Sequence, residues 1–144
     1  MSIKKGEEIA SPTIDTTHKE ISPMLLRKLP YALTVCKVLS PAEINLYADF
    51  FFIGKTDEEL SLVCITSDVP VHTTNRNDGW RGFRIDGELG FAPVSSLSLL
   101  SALLFDHHID IFAVSTFNTD YILVKEAQFD RATGVLEKEG YVIQ

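Results

Sequence analysis

Few side chains in this sequence have chemistry to offer, and they fall in two places. Asp120 closes a polar stretch, residues 115–120 (STFNTD), set between the apolar, β-branched runs 111–114 and 121–124. A carboxylate there can hold an ammonium or guanidinium group. The second place is the turn at residues 87–92 (GELGFA), ahead of a helix opened by Pro93. Backbone N–H groups at a helix start carry the positive end of its dipole and suit a carboxylate. Gly87 and Gly90 let a ligand approach the main chain, and Glu88 is a second acidic candidate. Plainer readings stand beside each: Asp120 as a turn former, the glycines as turn requirements, and Glu88 as a solvated acid favoured near a helix start.

Other combinations offer less. His107 and His108 end the helix of residues 93–105, where cations complement the dipole. No Cys-x-x-Cys or His-x-x-x-His spacing occurs, so neither a metal nor another cofactor is expected. Ser95 or Ser115 can be joined on paper with a His and an Asp into a triad, yet no nucleophile elbow supports it. No catalytic residue is expected, and the chain does not read as an enzyme. Trp80, Arg81 and Arg84 could stack on or clamp an anion, but a strand with one apolar face and one solvated basic face explains them more simply.

Composition sets the class. The 144 residues suit one ordinary domain or two small units sharing a core. A hydrophobic fraction of 45% excludes wholesale disorder. The net charge of −7 argues against nucleic acid, which needs clustered Lys and Arg. The longest apolar stretches are too short to cross a bilayer, and no charged-then-apolar leader opens the chain, so no membrane association is expected. Cys36 and Cys64 sit inside apolar runs and read as buried thiols in a reducing, cytoplasmic setting, with a disulfide between them the lesser alternative.

Residues 1–22 are polar and read as an N-terminal arm outside the core. Residues 24–29 read as a short turn leading into the fold. In residues 23–66 the pattern is strand (31–39), short helix, and strands at 50–53 and 60–65; Ser40-Pro41-Ala42-Glu43 has the form of a capping box and runs the helix to about Ala48. Residues 67–79, rich in Pro, Thr, Asn and Asp, read as a linker. Residues 80–144 give strand, helix (93–105), strands at 111–117 and 120–125, helix (127–139) and a last strand at 141–143. Phe129, Ala132 and Leu136 form the buried stripe of the second helix, and Gly140 ends it in a left-handed conformation. The class is therefore α+β: a ferredoxin-like βαββαβ unit preceded by an incomplete βαββ unit. Its strand order sets the first strand beside the third, bringing the turn after Asp86 close to Asp120.

The segments TDEELSLVC (56–64), GWRGFRIDGEL (79–89) and FAVSTFNTDYILVKE (112–126) resemble small proteins built from tandem ACT domains, the last also resembling Castor-type arginine sensors. The resemblance covers about residues 50–143. It implies a non-catalytic regulatory fold that binds an amino acid at an interface between ACT units, in a homodimer that controls some other protein. The site residues it implies are Gly87, Glu88, Gly90 and Phe91 in the turn, and Thr116, Phe117, Thr119 and Asp120 in the hairpin. A contrasting reading is a protein-interaction module that keeps the fold without a ligand. On the helix of residues 93–105, Val94, Leu97, Leu100, Leu104 and Phe105 form the stripe toward the sheet. Leu99 and Leu103 lie opposite and call for a second packing partner, either the N-terminal segment or another subunit.

Overall fold

The computed structural model describes residues 2–4, 24–86 and 96–144. In chain order its elements are β1 (Ser2–Lys4), β2 (Leu25–Lys28), β3 (Leu33–Val38), β4 (Phe51–Lys55), β5 (Leu60–Ile65), β6 (Thr73–Ile85), α1 (Ser96–Asp106), β7 (Ile111–Ser115), β8 (Asp120–Lys125), α2 (Glu126–Lys138) and β9 (Val142–Ile143). The chain forms two compact units: a larger one, Met1–Leu29 with Gly82–Gln144, and a smaller one, Pro30–Arg81. Strand β6 begins in the smaller and ends in the larger.

In the larger unit the strands follow the order β1-β7-β8-β6, and β2 continues from β6 to β9. The mixed sheet carries α1 and α2 on one face, which is the ferredoxin-like α+β fold expected. Alternation along the strands sends Phe83, Ile85, Ile122 and Val124 into a core with Leu100 and Leu104 of α1 and Phe129, Ala132 and Leu136 of α2. The α2 stripe is as the sequence indicated. Gly140 takes φ 100°, and the Tyr141 N–H donates to the Leu136 carbonyl at 3.1 Å, closing the helix end. The end of α1 uses His108 at φ 60° in that role, while His107 Nδ1 donates to the Leu103 carbonyl at 3.0 Å. Phe105, expected in the core stripe, is instead 45% exposed, whereas Leu103 packs partly against the core and Leu99 stays exposed. The expected start of this helix at Pro93 lies outside the described residues.

Two segments behave differently from expectation here. Residues 24–29 are not a lead-in turn: β2 wedges between β6, antiparallel to it, and β9, parallel to it. Leu26 fills the helix-side core, and its neighbours hydrogen-bond both ways, Asp86 N–H to the Leu25 carbonyl and Val142 N–H to the Met24 carbonyl. Residues 2–4, placed by sequence in a polar arm, pair with β7. Four-residue and three-residue strands carry almost no periodic signal, so neither was readable locally.

The smaller unit has the order β6-β3-β5-β4. Its first strand thus sits between its third and its fourth, the order of a βαββαβ sheet. The fourth strand, absent from the sequence reading, is the first part of β6: Cys36 pairs with Arg76, Lys37 with Asn75 and Val38 with Thr73. Residues 73–79 are therefore strand and not linker. Their polar side chains are mostly exposed, but a ladder is made by the backbone, and Gly79 at φ 82° absorbs a register irregularity opposite β3. Both helical positions hold only 3-10 turns, Pro41–Glu43 and Thr66–Asp68. The cap at Ser40 forms as read, its Oγ accepting from the Ala42 N–H at 3.2 Å. The helix then stops, because Leu46 and Tyr47 are exposed and only Ile44 is buried, too little apolar face to hold so short a helix.

Thr34, fully buried, donates its hydroxyl to Asp78 at 2.7 Å and lies 3.0 Å from the Thr66 hydroxyl. Cys36 and Cys64 are free and buried, and burial pushes the Cys64 thiol up to about 12, with Cys36 adding to the shift. Such a thiol is protonated and inert at neutral pH.

Gly82 leaves no room for a side chain. A β-carbon there would stand 2.7 Å from both Leu123 Cδ2 and Leu29 Cδ1, two buried side chains. Gly82→Val is expected to destabilise by about 1–3 kcal/mol through overpacking, measured by urea unfolding. Parent-like stability would show that this part of the core is loosely filled.

Candidate functional site

The candidate site lies where β6 ends and β8 begins. These strands are neighbours. Gly82 faces Leu123, and Arg84 is electrostatically coupled to Tyr121, so residues rising along β6 meet residues falling along β8. The end of β6, at Ile85, therefore meets the start of β8 at Asp120. Gly87, Glu88, Gly90 and Phe91 follow directly in the chain and lie outside the described residues.

The hairpin between β7 and β8 is closed by Thr116. Its backbone N–H donates to the Thr119 carbonyl at 2.8 Å, its hydroxyl donates to the same oxygen at 3.0 Å, and the Thr119 N–H donates to that hydroxyl at 3.2 Å. This is a Ser/Thr-type turn, so the task that a turn-forming aspartate would perform falls to Thr116. Strand β7 consequently stops at Ser115, two residues before the expected end. Phe117 stands at the tip, fully exposed. Asp120 pairs with Ser115 across the ladder and is half-buried.

Alternation divides the hairpin residues. Asp120 shares its face with Ile122 and Val124, which pack under the helices. Thr119 and Tyr121 belong to the opposite face. Of the hairpin residues singled out in the sequence, Asp120 alone is thus on the helix side at the end of β8 that neighbours the end of β6. Thr116 and Phe117 belong to the hairpin tip.

A charged group lies on the opposite face, built on Arg84, which the sequence offered as an anion clamp, and on Asp86 and Arg27, which it did not mark. Asp86 accepts from Arg84 twice, Nε to Oδ1 at 2.6 Å and Nη2 to Oδ2 at 3.2 Å, and also pairs with Arg27 Nε from β2. Arg27 Nη1 reaches Gln144 Oε1 at 3.4 Å. The hydrogen bond from Arg84 holds the Asp86 carboxyl below the usual carboxylate range, and Arg27 adds to it against the opposing effect of burial. The stabilisation from these pairs is complete above the ordinary carboxylate pKa and is lost as pH falls through the lowered value. The alternation in WRGFRID marked Arg84 as part of a basic strand face, whereas nothing local joined it to Asp86 or marked Arg27, 59 residues from that aspartate. Among the described residues there is no cluster of His, Cys, Asp and Glu suited to a metal, and no helix long and apolar enough to cross a membrane.

Residues 75–138 match the family model of the ACT domain. No curated protein matches the sequence significantly. Among solved structures, a protein of Agobacterium tumefaciens superposes with a TM-score of 0.74 at 25% identity, covering 85% of this chain and 92% of that one. A Vibrio cholerae protein of unknown function, described as a possible transport protein, gives 0.63 at 15% identity over 81% and 89%. The aspartate kinase of Clostridium acetobutylicum, described as an allosteric enzyme, gives 0.60 at 12% identity, over 85% of this chain and 37% of the kinase. At the lower identities these similarities are of fold. The α+β arrangement of the larger unit is thus the ferredoxin-like fold of ACT domains.

Proposed function

We propose that this protein is a non-catalytic regulatory module that binds a free amino acid at the β6–β8 end of its ACT domain, at an interface formed with a second copy in a cytoplasmic homodimer. The observation that carries the reading is Asp120. It is a half-buried residue on the helix side of the strand end, and Thr116 relieves it of any turn-forming task. In this reading Asp120 takes the ammonium group, and Gly87, Gly90 and Phe91 of the adjoining turn bring main-chain N–H groups to the carboxylate. Glu88, Thr116, Phe117 and Thr119 border the ligand or the second copy. Binding favours one arrangement of the copies over another, and regulates a partner protein only through that difference in affinity. The fold shared with the allosteric aspartate kinase supports a regulatory role.

The test is a thermal-unfolding screen against the proteinogenic amino acids. At about a hundred times its Kd, a specific ligand stabilises by ~2.7 kcal/mol. Asp120→Ala is expected to abolish the shift while leaving unliganded stability near the parent's. A screen in which no amino acid shifts the transition defeats the reading. Leu99 and Phe105, exposed on α1, support the second reading, a protein-interaction module without a ligand. That reading gains if the screen is silent and alanine at both positions abolishes self-association.

A further inference from the structure

On the face of the larger sheet opposite its helices, Arg27 and Arg84 are directly opposed across the antiparallel β2–β6 pair. Like charges in that position repel, and among the described residues one carboxylate, Asp86, is shared between them. Asp86 lies deeper, its side chain 20% exposed against 47% for Arg27 and 40% for Arg84. Each guanidinium has five N–H donors, and Asp86 takes only some of them. Arg84 uses Nε and Nη2 on Asp86; Arg27 uses Nε, and its Nη1 makes only a long contact with Gln144. Among the described residues one positive charge remains over, in a chain whose net charge is −7. Lys28 does not join them, since it lies on the other face above Phe129.

We propose that Arg27 and Arg84 form a binding site for the carboxylate of a small ligand, with Asp86 holding the two guanidinium groups side by side. A planar, singly charged carboxylate matches both the fork geometry and the single residual charge. Phosphate would place up to two charges on one tetrahedral group and remain undercompensated, whereas each carboxylate of a dicarboxylate carries one charge and the second can stay in solvent. The acidic chain repels polyanions. The site stands independently of the amino-acid reading, because Asp120 faces the helix side and these arginines face away from it. Half of it comes from β2, which lies outside residues 75–138 matched by the domain model.

Calorimetric titration at constant ionic strength tests it, using succinate, L-aspartate, inorganic phosphate and L-lysine. Succinate has no ammonium group and reads the arginine site alone. Saturable succinate and aspartate binding is expected, weakened at least tenfold in Arg27→Gln and in Arg84→Gln. Arg84→Lys, which keeps the charge and the fold, should fall between. Asp120→Ala should leave succinate binding intact, so failure of the amino-acid reading is read separately. Three results would overturn the proposal: no saturable binding of succinate at millimolar concentration, phosphate binding in preference to succinate, or succinate affinity unchanged in both glutamine variants.

Discussion

Leu26→Ala is expected to cost about 2–5 kcal/mol of stability, the range for truncating a fully buried leucine. The sequence gives no hint of such an effect, since Leu26 stands in a short segment that reads as a turn before the fold begins. In the structure it is fully buried, opposite Ile85 on one side and beside Ile143 on the other, and its side chain joins the core under α1 and α2. Its carbonyl accepts from the Gln144 N–H at 2.9 Å, so losing the side chain also loosens the strand that seats β9. Leu39→Ala is the matched control: that side chain is 69% exposed, and its removal should change stability by no more than about 0.5 kcal/mol. Urea unfolding of both variants decides the point. Equal, small effects would mean that residues 25–28 do not belong to the sheet.

Phe129→Ala should have an effect of about 3–5 kcal/mol. Phe129 is the residue by which α2 grips the sheet. Its ring stacks on Phe83 with centroids 4.7 Å apart and planes 11° from parallel, and the Lys28 ammonium lies 5.9 Å above it. Burial of the ring is the larger part of this, because a stacked aromatic pair adds only about 0.5–1.5 kcal/mol beyond its area. A double-mutant cycle with Phe83→Leu and Phe129→Leu separates the two contributions. A coupling energy near zero would show that the rings fill space without any stacking preference.

These two residues mark what could and could not be read locally. Phe129 was legible, because Phe129, Ala132 and Leu136 recur with the period of a helix and Gly140 supplies the left-handed stop. The β7–β8 hairpin was legible for a similar reason, with β-branched runs on either side of a polar turn. The helix of the smaller unit shows a limit of the same method: Ser40 and Pro41 start it correctly, but a cap sets where a helix begins and not whether a neighbour exists to bury its face. The candidate site divides in the same way. Asp120 and the glycine turn were visible as residue types suited to an amino acid. Thr116 taking the turn-forming role, and Arg27 reaching Asp86 from β2, were not.

The sequence by itself determined the α+β class, the elements of the larger unit from β7 to the end of α2, and the stop at Gly140, because each depends on side-chain periodicity or backbone preference within a few residues. Only the tertiary structure decided that β2 enters between β6 and β9, that the polar residues 73–79 complete the smaller sheet, and that Arg27 meets Arg84 across Asp86. Strand pairing is made by backbone N–H and C=O groups that every residue but proline carries. Which segments pair is therefore settled by the apolar surface the whole chain must bury, and no short window of residues contains that sum.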